Sequence, residues 1–69
     1  MTYPDLINLI QTERKRQDLT QSQMADLLHM NLVAYKRMEQ MQTKLDVVRL
    51  IDIVKVLNLS ITIEWQQIN

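Results

Sequence analysis

Residues 20–39 of the chain, TQSQMADLLHMNLVAYKRME, contain two short helical patterns separated by only a few residues. Their apolar side chains recur at spacings of three to five, and these are Met24, Leu27, Leu28, Met30, Tyr35 and Met38. Because residues three and four apart share one face of a helix, both segments are expected to bury one face in a common core. Residues 20–40 are therefore predicted to form a helix-turn-helix. The side chains left facing outward on its second helix are Asn31, Leu32, Val33, Lys36 and Arg37.

The composition limits how so short a chain can be stabilised. Residues 1–69 are predicted to form a single domain, and domains of this size often need a disulfide, a metal or a second subunit. The chain has no Cys and a single His, so disulfides and thiolate sites are excluded and a zinc site lacks ligands. Oligomerisation is therefore the favoured source of extra stability, and no metal or other cofactor is expected.

The charge and hydropathy of the chain narrow the classes of partner. The formal net charge is 0 at pH 7, which argues against a polybasic nucleic-acid coat but not against a local basic patch. No stretch approaches the roughly 20 apolar residues of a membrane span, and the first residues lack the pattern of a secretory signal. The expectation is a cytoplasmic protein without a membrane partner. A hydrophobic fraction of 46% with no Gly predicts a mainly α-helical fold.

Four helices are predicted from capping residues and apolar spacing. They follow Thr2, Thr20, Asn31 and Asp46, and they end near Asp18, Leu28, Gln40 and Leu57. The first two starts carry the capping-box pattern, in which a Thr is followed three residues later by Asp5 or Gln23. Two helix ends, at His29 and Asn58, are expected to need a left-handed backbone where Gly is usually found.

Two helices have apolar faces that are expected to be buried. In the first helix these residues are Leu6, Ile7, Leu9 and Ile10. In the fourth they are Val47, Leu50, Ile51, Ile53, Val54 and Leu57, which predicts that this helix is mostly buried.

The C-terminal pattern changes from helical spacing to strict alternation. Leu59, Ile61, Ile63 and Trp65 alternate with polar residues, which predicts a β-strand over residues 59–65. No other segment offers an edge for this strand, and unpaired backbone groups are costly. The strand is therefore expected to pair with its own copy in a homodimer. Trp65 has two interpretations, as an anchor of that interface or as a docking residue for a larger partner.

From about Leu6 to Leu59, the chain resembles the phage-repressor and Cro type of helix-turn-helix domain, the XRE family. The matching residues are Arg14, Thr20, Gln21, Met24, Ala25, Leu28, Tyr35, Met38 and Glu39. The chain departs from the family at His29 and Met41, where Gly is usual. The resemblance implies a lambda-repressor-like fold of four to five helices, to which the predicted C-terminal strand is added.

The sequence of residues 57–63 also resembles the ending of HipB-type antitoxins. That resemblance implies a repressor that autoregulates its own operon as a homodimer on a palindromic operator in double-stranded DNA. It further implies binding to a HipA-like kinase toxin or an accessory subunit. A second hypothesis from another class is a protein-interaction module on a helix-turn-helix scaffold, with weak or lost DNA binding.

The residues expected to meet DNA follow from the resemblance and from the general use of a recognition helix. They are Gln21, Asn31, Leu32, Val33, Lys36, Arg37, Gln42, Thr43 and Lys44. Gln21 and residues 42–44 would contact phosphates, and the others would reach bases and the nearby backbone. Each also has an ordinary interpretation: Lys36 and Arg37 as a solvated face, Leu32 and Val33 as a protein-binding patch, and the rest as surface polar residues.

Arg14 and Glu39 are interpreted differently, because the matching residues of the family pair across the first and third helices. They are expected to form a structural ion pair. No catalytic constellation is visible, since His29 is the only imidazole and has no obvious Ser, Cys or carboxylate partner. The chain is therefore predicted not to be an enzyme.

Overall fold

Four helices follow one another in the computed structural model, which describes residues 1–60. They are α1 Tyr3–Arg16, α2 Gln21–Leu27, α3 Leu32–Glu39 and α4 Val47–Val56, which confirms the four predicted helices. The predicted strand residues Ile61, Ile63 and Trp65 lie outside the described residues. Leu59 is described; it follows α4 without regular secondary structure and packs, half-buried, against the core.

Every helix begins at the residue that the sequence indicates. The Thr2 and Thr20 hydroxyls accept hydrogen bonds from the Asp5 and Gln23 amides at 3.2 and 3.0 Å, and the partner side chains bond back to the threonine amides. Asn31 Oδ1 accepts from the Val33 amide at 2.8 Å, and Asp46 Oδ1 accepts from the Arg49 amide at 2.7 Å. These bonds satisfy amides that have no partner within the helix.

Every helix also ends in the same way, with a left-handed residue that is not Gly. The residues are Asp18, His29, Met41 and Asn58, with φ between 55 and 59°. In each case the next amide bonds back to a carbonyl five residues earlier, as from Leu59 to Val54 at 2.9 Å. This is the Schellman motif, which closes the carbonyl end of a helix. A left-handed backbone costs an L-residue about 1–2 kcal/mol, and Met has no local hydrogen bond to offset it.

The core lies where the four helices meet. Its buried apolar residues are Ile7, Ile10, Met24, Ala25, Leu28, Tyr35, Met38, Ile53 and Leu57. Outside α4, two residues expected in it are instead exposed, namely Leu9 on α1 and Leu27 on α2. Both lie on the edge of an apolar stripe that is wider than the surface that the neighbouring helices cover.

The burial predicted for α4 is only partly right, because some of its apolar residues are also exposed. Val47 is 71% exposed and Ile51 is 47% exposed, whereas Ile53 is fully buried and is the one core residue within the helix. The next core residue, Leu57, caps its C-terminus. Apolar residues occur all round α4, so periodicity alone could not tell which side faces the core.

Two features are absent from the part of the chain that the structure describes, namely a membrane-spanning helix and a metal-binding cluster. Among residues 1–60, no helix has the length and apolarity needed to cross a bilayer. In the same residues, no three His, Cys, Asp or Glu side chains converge in a way that could hold a metal ion.

Candidate nucleic-acid interface

α2 and α3 are held together by a common core and by a tight turn between them. Met24 and Ala25 of α2 pack in the same core as Tyr35 and Met38 of α3. Between the helices, His29 is left-handed, and the Met30 amide donates to the Ala25 carbonyl at 2.8 Å. The unit therefore has the arrangement predicted from residues 20–40, with α3 as its outward-facing second helix.

α3 divides into a buried side and an exposed side. Tyr35, Met38 and Glu39 are buried, while Lys36 and Arg37 are exposed and Val33 is 54% exposed. Asn31 is exposed, but its side-chain oxygen is used to cap the helix. The outward placement predicted for Leu32 is only partly right, because this side chain is half-buried and packs against the core. The exposed side therefore presents two cations and one branched apolar side chain.

Glu39 is the centre of a buried hydrogen-bond cluster that anchors this helix. Arg14 donates to it through Nε at 2.8 Å and through Nη2 at 3.2 Å. The Tyr35 hydroxyl donates to Glu39 Oε2, and Gln21 Nε2 donates to Oε1 at 3.0 Å. Arg14 and Glu39 expose only 7% and 4% of their surface. A buried charge of this kind is stable only when it is paired and hydrogen-bonded, and here both carboxylate oxygens are used.

The cluster continues through backbone groups that connect three helices. Arg14 Nη1 donates to the Leu19 carbonyl at 2.8 Å, and Gln11 Nε2 donates to the Glu39 carbonyl at 2.9 Å. Within residues 1–60, every buried side-chain nitrogen or oxygen has a hydrogen-bond partner. α1, α2 and α3 are thus joined by directional bonds as well as by apolar packing.

The protonation states in the cluster follow from these bonds. Burial opposes ionisation of Glu39, but hydrogen bonds from Arg14, Tyr35 and Gln21 outweigh it and keep the pKa of Glu39 below its ordinary value. Burial and the hydrogen bond to Glu39 raise the pKa of Tyr35 above its ordinary value. The site therefore holds a carboxylate and a neutral phenol at neutral pH.

Gln21, the predicted phosphate contact, is held by this cluster. It is the first residue of α2, and one of its amide N–H groups is bound to Glu39. A side-chain amide has two N–H donors, so one remains for a phosphate oxygen. Sequence reasoning placed Gln21 at the surface and did not foresee its bond to a buried carboxylate, because the two residues are 18 positions apart.

The loop after α3 carries the other predicted phosphate contacts. Gln42, Thr43 and Lys44 are exposed. The loop is held by Tyr3, whose hydroxyl donates to the Thr43 carbonyl at 3.5 Å and accepts from the Leu45 amide at 2.9 Å. Sequence reasoning missed this role of Tyr3, and no local signal could have shown it, because Tyr3 and Leu45 are 42 positions apart.

Arg49 of α4 is a further cation, and sequence reasoning did not assign it to the interface. Its Nη1 atom donates to the Leu28 carbonyl at the end of α2 at 3.0 Å. It also lines a shallow depression of about 220 Å³ with Arg37 and Lys44. Cations suit the carbonyl end of a helix, and in this position Arg49 extends the basic surface from α3 towards α4. Asp46 lines the same depression and offsets part of its charge.

A comparison with known families agrees with this geometry. A family model described as helix-turn-helix matches residues 10–63, more than three quarters of the chain. The chain belongs to this helix-turn-helix family. This family is the XRE type of DNA-binding regulatory domain, which is not typically enzymatic. The chain is therefore a transcriptional regulator of the DNA-binding kind. Searches of curated proteins and of solved structures gave no significant match.

Proposed function

We propose that this helix-turn-helix protein is a sequence-specific repressor that binds its operator as a homodimer and reads the major groove with α3. The observation that carries the proposal is the division of α3 into two sides. Glu39 and Tyr35 hold one side in the core, while Lys36, Arg37 and Val33 are left accessible on the other. Two such helices about 34 Å apart would enter successive major grooves on one side of the duplex.

The accessible side chains suit different parts of the duplex. Lys36 and Arg37 can donate to guanine acceptors or to phosphate oxygens, and Val33 can contact a thymine methyl group. Asn31 and Leu32 lie at the start of α3, the part of a recognition helix that approaches base edges. Gln21 and the exposed residues 42–44 would fix the protein on the phosphate backbone, which sets its register without reading sequence.

Salt-dependent binding of the duplex upstream of the protein's own gene tests the α3 assignment. Lys36→Ala is expected to weaken binding and to reduce the dependence of affinity on salt, because a contact to a phosphate or base edge is removed. Lys55→Ala is the matched control, since Lys55 is also exposed but lies on α4. Equal affinities for the Lys36→Ala variant and the wild type would contradict the assignment.

The homodimer is proposed from the alternation in residues 59–65 and from the small size of the fold. Pairing of this segment between two copies would satisfy its backbone groups and hold the two α3 helices at a fixed spacing. Ile63→Asp in the full-length chain is expected to lower the molar mass in solution towards that of a monomer. Thr62→Asp is the matched control, because it changes the neighbouring polar position of the alternating pattern. This variant should remain a dimer. A fully dimeric Ile63→Asp protein would show that this segment does not hold the dimer.

We also propose that the repressor is an antitoxin that autoregulates its operon and binds a HipA-like kinase toxin or an accessory subunit. This part rests on the resemblance of residues 57–63 to the ending of HipB-type antitoxins. A neighbouring kinase-like reading frame whose expression is toxic without this protein is the expected finding. A gene neighbourhood without such a reading frame, or one whose product is harmless, would contradict the antitoxin role.

A protein-interaction module with weak DNA binding is the second candidate. It is favoured by the 54% exposure of Val33 on the outward side of α3, where many DNA readers carry a polar group. Under this alternative no duplex would bind better than random DNA at low salt. Val33→Ser, which leaves the charge unchanged, would then weaken a protein complex without changing affinity for DNA.

A further inference from the structure

α1 and α4 form an apolar groove that the proposed DNA binding does not use. It has a volume of about 260 Å³, and its walls include Leu6, Leu9, Leu50, Val54, Leu59 and Ser60. Glu13 at its edge is the one charged residue in its lining, and this carboxylate is bound to Arg16. Leu9 is exposed, and Leu6, Leu50, Val54 and Leu59 are half-buried, so the groove leaves apolar surface that further apolar side chains can cover.

The groove lies where the described chain ends. The Leu59 amide donates to the Val54 carbonyl at 2.9 Å, which fixes the chain against α4 as the helix closes. Leu59 and Ser60 then line the groove themselves. The described chain therefore ends at the groove with Ser60, and no linker is needed to bring the following segment to it.

Residues 61–69, ITIEWQQIN, have the chemistry and the length to cover this groove. Ile61, Ile63 and Trp65 recur at every second position, and Glu64 is the only charged residue in the segment. Nine extended residues reach roughly 30 Å, whereas the ten residues of α4 span roughly 15 Å. The segment is therefore long enough to run the whole length of the helix.

We infer that residues 61–69 dock in the α1–α4 groove of their own chain and cover Leu9 and Val54 with apolar side chains. Docking within one chain is favoured because the segment starts at the groove, so that little entropy is lost in bringing the two together. This arrangement uses the apolar side chains and leaves backbone groups free to pair with a second copy. The inference rests on the described groove and not on operator binding, so the two can fail separately.

Fluorescence of Trp65 tests this directly, because the chain contains one Trp. The wild-type protein is expected to show blue-shifted emission and slow quenching by acrylamide. Leu9→Asp places a charge in the groove and should shift the emission to the red and speed up quenching. Leu27→Asp is the matched control, since Leu27 is also an exposed Leu but lies on α2 outside the groove. The control is expected to keep the wild-type spectrum.

Circular dichroism of each variant shows whether the helices persist. If Leu9→Asp loses its helical signal, Val54→Thr and Val48→Thr replace the pair, because both residues are on α4 and only Val54 lines the groove. Water-like emission in the wild type, or no shift in the groove variant, would overturn the inference. A red shift when the wild type is diluted to monomer would also overturn it, because the segment would then occupy the groove of a second copy. Operator affinity measured on the same samples reports separately on DNA binding.

Discussion

α3 and α4 differ in the way that each is attached to the rest of the molecule. α3 has eight residues and buries three of them, including the charged Glu39. α4 has ten residues, of which only Ile53 is buried, although most of its residues are Val, Leu or Ile. The more apolar helix is thus the less buried one. In a small fold, burial is decided by the position of a helix relative to its neighbours, since there is too little structure to cover every apolar face.

This difference agrees with the two roles proposed for these helices. α3 is held by directional hydrogen bonds to Arg14 and Gln21, which fix its orientation, as the proposed DNA-reading role requires. α4 buries Ile53 in the core and makes two hydrogen bonds to other parts of the fold, from Arg49 to the Leu28 carbonyl and from Gln17 to the Leu57 carbonyl. Its other side leaves Val47, Val48 and Ile51 exposed. Apolar contacts are not directional, so α4 can accept further apolar partners on its uncovered side.

The largest expected effect is the loss of the buried carboxylate. Glu39→Ala leaves Arg14 buried and unpaired, which should lower the free energy of unfolding by about 3 kcal/mol. Glu13→Ala is the matched control, because its partner Arg16 is 64% exposed and exposed ion pairs contribute less than about 1 kcal/mol. Chemical denaturation measures both changes. Similar losses in the two variants would remove the distinction between a fixed α3 and an ordinary surface helix.

A smaller effect is expected from protonation, because the Glu39 side chain then stays in place. The folded state holds the pKa of Glu39 below its ordinary value of 4.5. The contribution of Glu39 to stability is therefore complete above about pH 4.5 and is lost as the pH falls through the lower, folded-state pKa. Glu39→Gln should flatten this part of the acid unfolding profile. An unchanged acid profile would show that other carboxylates govern the acid limb.

Tyr35→Phe should cost about 2 kcal/mol, because a hydrogen bond to a charged group is removed while the ring is kept. The raised pKa of Tyr35 gives the wild type a stabilising term that is complete below pH 10 and declines above it. The Phe variant should lack this alkaline loss. Denaturant unfolding at neutral and alkaline pH measures both effects. An equal alkaline loss in the variant would contradict the role of this hydroxyl.

Within α4, a matched pair of substitutions separates its two sides. Ile53→Val should cost about 1 kcal/mol, because a methyl group is removed from the core. Ile51→Val, at a position that is 47% exposed, should change the stability by much less. Thermal or chemical unfolding of the two variants compares them. Equal losses would mean that Ile51 is as buried as Ile53 in solution, which would contradict the one-sided burial of α4.

The smallest expected effect is a gain. Met41→Gly at the end of α3 should stabilise the fold by about 1 kcal/mol, because Gly adopts a left-handed backbone without steric cost. Asn58→Gly at the end of α4 should gain less, because Asn tolerates this conformation better than Met does. Thermal unfolding ranks the two variants. A loss of stability in Met41→Gly would show that the Met side chain contributes more than its backbone costs.

Local chemistry made the helix starts and ends predictable. Thr2, Thr20, Asn31 and Asp46 cap the helices they were expected to cap, and His29 and Asn58 have the left-handed backbone inferred from their positions. These features depend on only a few neighbouring residues, which is why the sequence reveals them.

Features that depend on distant residues were not predictable in the same way. The exposure of Leu9, Leu27 and Ile51 depends on which neighbouring helix covers them, and periodicity gives a side without saying what it faces. The bonds of Gln21 to Glu39 and of Tyr3 to Leu45 join residues far apart in the chain. Of the candidate interface, the sequence indicates which residues lie on α3, but not how Gln21 and the loop after α3 are held.

The specificity of DNA binding tests the central claim most directly, namely that the anchored α3 reads an operator. The affinity of the full-length protein would be compared for the duplex upstream of its own gene and for a scrambled duplex of equal composition, at matched salt. A DNA-reading repressor is expected to prefer the upstream duplex by about 10³-fold or more. Equal affinities for the two duplexes across the salt range would contradict the claim.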